Sequence, residues 1–262
     1  MDQSDTDVSS LTTLRLSEYS APTATGRCLL AQFTDREVVV YQAYNPAIGA
    51  YALEHQHFGG GFSFTRTSWI KPNFTWMMHR CGWASKQNQE VVLALSLRRD
   101  FWDSVLSKAV MSNYGAHLST LGPGEASAIG DARRGSAAAS GGVQESRGGR
   151  QSRWKAALRA SDVVMQWDPD HRPFTGHKTN HRVIQLGLRG DVLAAFRGPA
   201  FGGEGGIQDI TAFVKATKDM HCDRPVIGQG GAPAIALPPM MLPVEEPYLV
   251  GDAHVAQRLG VD

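Results

Sequence analysis

The densest concentration of side chains able to do chemistry is residues 66–83, RTSWIKPNFTWMMHRCGW. Lys71 stands just before a proline that opens a helix. A lysine there, beside the free N–H groups of a first helical turn, makes an anion site. Arg66, five residues earlier, adds a guanidinium suited to bidentate phosphate contact. On a helix starting at Pro72 or Asn73 and ending near Gly82, Phe74, Met77, Met78 and Cys81 recur at i, i+3, i+4 and i+7, which predicts an inward stripe. Trp76, Arg80 and Trp83 fall on another face. An arginine between two tryptophans either clamps a planar ring by stacking or belongs to a packed core, with Arg80 bridging to a carboxylate such as Glu90.

Other candidates are sparser. Gln166, Trp167 and Asp168 end a strand, where Asp168-Pro169 reads as a turn. The loop HRPFTGHKTNHR (171–182) gathers three histidines and basic residues, among them Lys178 and Arg182, and is read as a phosphate-facing or solvated loop. His177 and His181 are four apart but share a metal only on a helix, which Gly176 and Asn180 oppose. His55 and His57 sit where they complement a helix C-terminus. No GxSxG, HExxH or Walker pattern occurs. GGEGG (202–206) lacks the strand-to-helix setting of a dinucleotide fingerprint and is taken as a flexible loop.

The elements that must position these residues follow from periodicity and punctuation. EVVVYQAY (37–44) is β-branched and aromatic, a strand buried on both faces. Asn45-Pro46 caps and starts a helix running to about Phe58. FSFTRTSWI (62–70) alternates apolar and polar residues and reads as a second strand. QEVVLALSL (89–97) is a third strand and RDFWDSVLSKAV (99–110) a helix. A short helix (153–160) leads into the strand VVMQW (163–167). HRVIQLGL (181–188) is a strand, followed by a helix over 191–196 and a strand or helix start at IQDITAFV (207–214). The closely spaced late strands predict an α+β fold with a mixed, curved β-sheet core and flanking helices.

Composition bounds the setting. Residues 1–22 are polar and read as a disordered tail. Residues 122–149 hold Gly, Ser, Ala and Arg with almost no large apolar side chain, a disordered insertion within a single α+β domain spanning 23–218. Beyond Lys218 the Gly/Pro-rich stretch 219–262 reads as irregular. The net charge of +1 gives no global drive toward nucleic acid or anionic membrane, so any such attraction is local. Cys28, Cys81 and Cys222 are widely separated, indicating neither a disulfide framework nor a zinc knuckle. No secretory leader or apolar span of about 20 residues is visible. The expectation is a soluble cytoplasmic or nuclear protein, not secreted, without metal.

The motifs VYQAYNPAI, TRTSWIKPNFTWMMHRCGW, QEVVLAL, VMQWDPDH, HRVIQLGL and IQDIT, taken in order, resemble those of the DUF-4291 family, a domain of unknown function. The match covers most of residues 26–214. More distantly, their order resembles the ADP-ribosyltransferase fold. That resemblance implies NAD as co-substrate. Gln42 and Tyr44 would occupy its first motif, and Thr65, Thr67 and Trp69 its second strand. Gln185 would take the late catalytic position, where such enzymes often carry glutamate; Glu204 is the acid near it in sequence. Arg66, Lys71 and Arg80 would grip the pyrophosphate, with Arg182 as a further phosphate contact. Three readings follow. The protein is an NAD-using ADP-ribosyl transfer enzyme with a nucleic-acid or protein acceptor, a non-catalytic nucleotide or single-strand binder, or an interaction module whose tryptophans are core.

Overall fold

The computed structural model of the protein describes residues 14–21, 23, 25–120, 147–173, 175–202, 205–221 and 239–261. The chain enters through three short strands, β1 (Leu16–Glu18), β2 (Gly26–Arg27) and β3 (Leu30–Ala31). Strand β4 (Glu37–Tyr44) leads into α1 (Pro46–His55). Strand β5 (Ser68–Ile70) precedes α2 (Phe74–Cys81). Next come β6 (Val91–Arg98), α3 (Arg99–Lys108), β7 (Ala109–Met111) and α4 (Tyr114–Leu118). The chain continues through α5 (Arg147–Ala160), β8 (Val163–His171), β9 (Lys178–Leu188) and α6 (Gly190–Ala194), the last prolonged by a 3₁₀ turn. Strand β10 (Ile207–Asp209), α7 (Thr211–His221), β11 (Met241–Pro243), β12 (Glu246–Pro247) and α8 (Ala253–Leu259) complete the order.

This is a mixed α+β fold built on two main sheets. One is antiparallel, in the order β10-β6-β4, with Glu37 opposite Arg98 and Tyr44 opposite Val91. The other is mixed, in the order β2-β9-β8-β7, with β5 also on β9. The apolar run of β4 serves both faces. Val38 and Val40 enter a core with Phe58, Trp102, Leu186 and Phe196. Val39 and Tyr41 enter a second core with Phe74, Met77, Met78, Cys81 and Phe213. Each such side chain contributes about 1.5–3 kcal/mol when fully buried, so the sheet is held by helices on both sides rather than by its edges.

Helix boundaries obey the local chemistry. Asn45 Oδ1 accepts from Ile48 N at 3.0 Å and Pro46 opens α1, which closes at His55 because Gln56 turns left-handed (φ 54°) before Phe58. Asn73 Oδ1 accepts from Trp76 N at 2.8 Å and Gly82 (φ 60°) closes α2. The stripe of Phe74, Met77, Met78 and Cys81 is buried as its spacing predicts.

Several expectations are corrected. Alternation over 62–70 yields a strand only at Ser68–Ile70. Phe62 and Phe64 point inward because they pack on each other (ring centroids 4.8 Å) and on Tyr44 and Phe58, which mimics strand periodicity without a strand partner. Thr65 and Thr67 therefore lie before the strand. Asp168-Pro169 is not a turn: β8 runs on to His171, with a register shift between Pro169 and His171. A proline beside a bulge is the tolerated placement in a ladder. The end of the expected helix at 109–110 is strand β7, parallel to β8.

The expected tails contribute elements too. In the stretch 1–22, Leu16–Glu18 pairs with Met241–Pro243 of the stretch 219–262. Helix α8 is fastened by Trp167 Nε1 donating to Leu259 O at 2.8 Å. Helix α5 starts at Arg147, inside the expected insertion; residues 121–146, with Cys222, lie outside the described residues. In the glycine-rich stretch 202–206, Gly203 and Glu204 also lie outside them. Gly205 and Gly206 are not a free loop: a Cβ on Gly205 would collide with Ser96 Oγ, and Gly206 O accepts from Ser96 N at 2.8 Å.

Candidate functional site

Strands β4 and β5 belong to different sheets and meet at one isolated antiparallel bridge, Tyr41 with Lys71, whose N–O distances are 2.7 and 3.3 Å. Beyond it, side chains take over the pairing. Gln42 Nε2 donates to Ser68 Oγ (2.9 Å) and Trp69 O (3.1 Å), and the Tyr44 and Ser68 hydroxyls are 2.9 Å apart. The strands splay, and a cleft of about 820 Å³ opens in the split.

Gln42, Tyr44, Arg66 and Thr67 line this cleft. So do Trp69, Lys71, Arg80 and Gln185. Four separate stretches of sequence thus converge. Arg182 is not among the lining residues. It is three positions from Gln185 on β9, and a strand's period of two turns it to the other face. Its guanidinium donates to Trp167 O at 3.1 Å. The tryptophans flanking Arg80 are not a clamp: Trp76 and Trp83 are buried, and Arg80 alone of the three is exposed.

Three cations line the cleft, and among the described residues no carboxylate lines it. Lys71 is 6 % exposed, and its ammonium donates over a long distance to Trp69 O (3.4 Å). Burial, and then the Arg80 charge, pull its amine down to about 8, with Cys81 and Asp168 opposing. A buried ammonium without an ion-pair partner among the described residues is a standing cost that an anionic ligand would relieve.

Two amides supply the opposite polarity. Gln42 Nε2 is committed to two acceptors, so Oε1 faces inward without a partner among the described residues, in a side chain only 2 % exposed. Gln185 Nε2 donates to Gln166 Oε1 (3.0 Å) and Asp168 Oδ2 (2.7 Å), which leaves its Oε1 as an acceptor as well. Gln185 thus offers an oxygen to ligand hydroxyl or amine donors, whereas the Gln42 oxygen is itself buried.

Asp168 is a functional candidate whose geometry the turn reading hid. Val164, Gln166 and Asp168 share one face of β8; Gln166 lines the cleft, and Asp168 stands outside its lining, against Gln185 Nε2 at 2.7 Å. The signal was the period-two run VMQWD, masked by Pro169. Burial raises the Asp168 carboxyl above its ordinary range, opposed by the Gln185 hydrogen bond and by Lys71, Arg182 and Arg80. Asn45, Asn88 and Gln89 also line the cleft. Asn88 and Gln89 return there after a left-handed turn in which Trp83 (φ 56°) and Ala84 (φ 63°) follow Gly82. That turn costs about 1–2 kcal/mol per non-glycine residue. The cleft floor is kept low by Gly187, where a Cβ would meet Thr67, Val164 and Trp69 at 2.7, 2.8 and 3.1 Å.

The histidines of the basic loop turn away from this chemistry. His171 stacks on His79 (centroids 3.7 Å) and on Trp76 (5.2 Å), and burial lowers the pKa of both imidazoles. His181 is buried between Asp170 (3.4 Å) and Cys28 O (3.1 Å). Lys178 and His177 are exposed. His55 stacks on Tyr51 at 4.0 Å and hydrogen-bonds its carbonyl, closing α1. Among the described residues, no group of three or more His, Cys, Asp or Glu side chains converges as a metal site, and no helix is long and apolar enough to cross a membrane.

No curated protein matches the chain. Residues 28–248, which include every cleft-lining residue above, match the model of a family described as a domain of unknown function, and the chain belongs to this family, DUF4291.

Proposed function

We propose that the cleft binds a pyridine dinucleotide, with NAD as co-substrate, and that the protein transfers ADP-ribose from it to an acceptor. The observation that carries this reading is the joint presence, in one cleft, of Arg66, Lys71 and Arg80 without a lining carboxylate among the described residues, and of the amide side chains of Gln42 and Gln185. A dinucleotide has the matching parts. Its pyrophosphate meets the cations, its ribose hydroxyls and carboxamide meet the amide side chains, and Trp69 or Tyr44 stacks on a planar ring.

In such a transfer the bond from the ribose anomeric carbon to the nicotinamide nitrogen breaks. Nicotinamide leaves as a neutral molecule with the bonding pair, and an acceptor lone pair forms the new bond to that carbon. The acceptor's proton passes to a base. In this reading Asp168, which accepts from Gln185 Nε2 at 2.7 Å just outside the cleft lining, is that base. A carbonyl dipole at the late position stabilises a ribosyl cation less than a glutamate would, which favours a slow enzyme. The same feature supports a second reading, a nucleotide-binding domain without chemistry.

The two readings separate in one experiment. Purified protein is incubated with NAD carrying a labelled nicotinamide, with binding followed in parallel by calorimetry. Transfer predicts nicotinamide release that Gln185→Ala and Arg80→Ala diminish, while Arg80→Ala leaves the melting temperature unchanged because Arg80 is exposed. Saturable binding without release would establish the second reading. Absence of both would reject a nucleotide site in this cleft.

A further inference from the structure

Helix α5 (Arg147–Ala160) has the sequence RGGRQSRWKAALRA, with five Lys or Arg and no acid, in a chain whose net charge is only +1. We infer that α5 is a docking surface for the phosphate backbone of single-stranded nucleic acid, and that this strand is the acceptor brought to the cleft. Docking stands on α5 alone, whereas the acceptor role rests on the transfer reading above.

The helix is poorly suited to stand by itself. Like charges at i+3 and i+4, as in Arg150–Arg153 and Lys155–Arg159, repel by a few tenths of a kcal/mol each. No acid sits in the first turn to meet the helix dipole. Trp154 Nε1 donates to Met111 O at 2.8 Å, and the indole packs on Tyr114 with centroids 5.1 Å apart. Arg189 donates to Leu158 O and to Ser161 O (2.9 Å), adding one more cation at the C-terminal end.

These anchors decide between polyanions. Trp154 and Leu158 are the large apolar side chains of the helix, and both are partly covered. No apolar face remains to insert at a lipid boundary, which an interfacial helix requires. Arg153, Lys155 and Arg159 stay exposed. From Arg153 to Arg159 the helix spans about 9 Å, so its exposed cations can meet successive phosphates of one strand. Placement fits as well: Ala160 is three residues from Val163, and Gln166, at the cleft, lies about 10 Å further along β8.

The test measures binding of a labelled single-stranded RNA to the full chain across a salt series. It compares wild type, Arg153→Gln/Lys155→Gln/Arg159→Gln, and the charge-keeping Arg153→Lys/Lys155→Arg/Arg159→Lys. Each phosphate that the protein no longer neutralises makes the log–log salt slope shallower by about 0.7, so the neutral variant's slope falls by roughly 2. The charge-keeping variant retains the wild-type slope, which separates charge from folding. NAD binding by the neutral variant stays at the wild-type level. An Arg66→Ala/Arg80→Ala variant retains most of the RNA affinity, so loss of the cleft reading leaves docking standing. No RNA binding by wild type, an unchanged slope in the neutral variant, or binding to phosphatidylserine–phosphatidylcholine vesicles in place of RNA would each overturn the inference.

Discussion

Lys71→Met is expected to make the protein more stable and less able to bind its ligand. Methionine matches the length of the lysine stem and fits the same apolar walls, so little packing is sacrificed. What disappears is the buried charge. The amine's pKa drops from 10.5 in the unfolded chain to about 8 in the fold. At about 1.4 kcal/mol per pKa unit, holding the ammonium in place near neutral pH costs roughly 3 kcal/mol. The weak bond to Trp69 O returns only part of that. The variant should gain up to about 3 kcal/mol at pH 7, a rise in melting temperature of roughly 6–10 °C for a chain of this size.

The pH dependence has a definite sign. Between pH 8 and 10.5 the unfolded lysine holds a proton that the folded one has released, so wild-type stability rises with pH across this window. The variant lacks that rise, and the two curves converge above pH 10.5. Urea unfolding of both proteins at pH 7, 9 and 10.5 measures the difference directly. Equal destabilisation of the variant at every pH would refute the reasoning, since it would mean that Lys71 has an anionic partner or a packing role that methionine cannot fill. NAD should stabilise wild type at pH 7 and leave the variant unmoved.

Other perturbations have equally specific outcomes. Asp168→Asn should slow nicotinamide release by about 10²-fold or more through loss of a proton acceptor, while the calorimetric Kd for NAD stays close to wild type. Gly187→Ala should cost about 1–3 kcal/mol in thermal or urea melts and weaken ligand binding, because its methyl group displaces Thr67 and Trp69 from the cleft floor. Glu245, which accepts from Phe74 N (2.5 Å) and Asn73 Nδ2 (2.6 Å), is pushed up to about 8 by burial, against the Phe74 bond, with Asp170 adding to the rise. Its folded pKa lies above the unfolded 4.5, so the stability it contributes is present below pH 4.5 and lost as pH rises to 8. Glu245→Gln should flatten that decline in urea titrations.

The parts of this fold legible in the sequence are those governed by neighbours along the chain. Asn45-Pro46, Asn73 and Gly82 mark helix ends because capping is a local reaction of side chain with backbone. The stripe from Phe74 to Cys81 is legible because helical periodicity alone fixes which side is buried. The cations of the cleft are legible as a cluster for the same reason, since Arg66, Lys71 and Arg80 are close in sequence. Features that depend on distant partners are not. Phe62 and Phe64 imitate a strand, and only the aromatic core around Phe58 explains their burial. Asp168 is concealed because Pro169 signals a turn unless β9 is there to carry the ladder on through a bulge. Leu16–Glu18 and Met241–Pro243 are too short to announce themselves, and each is a strand only because the other is present.

The fold departs from good packing rules where a ligand would sit. A buried ammonium lacks an ion-pair partner at Lys71, a buried amide oxygen lacks a donor at Gln42, and two non-glycine residues are held left-handed at Trp83 and Ala84, all judged among the described residues. Each is unfavourable by an amount on the order of 1–3 kcal/mol. Among the described residues, unsatisfied buried polar atoms also occur elsewhere, among them Tyr41 Oη and Trp102 Nε1; the cleft is set apart by sharing one with a buried charge. Lys71 and Gln42 line the same cleft, and the strained turn delivers Asn88 and Gln89 to its rim. Sequences tend to break local rules where function requires it. A phosphate against Lys71, and a hydroxyl or amine reaching the buried Gln42 oxygen, would remove two of these costs at once. A ligand with only one of the two groups is therefore expected to bind more weakly than their separate contributions suggest, and inorganic pyrophosphate and nicotinamide riboside, titrated singly and together against NAD, measure that coupling.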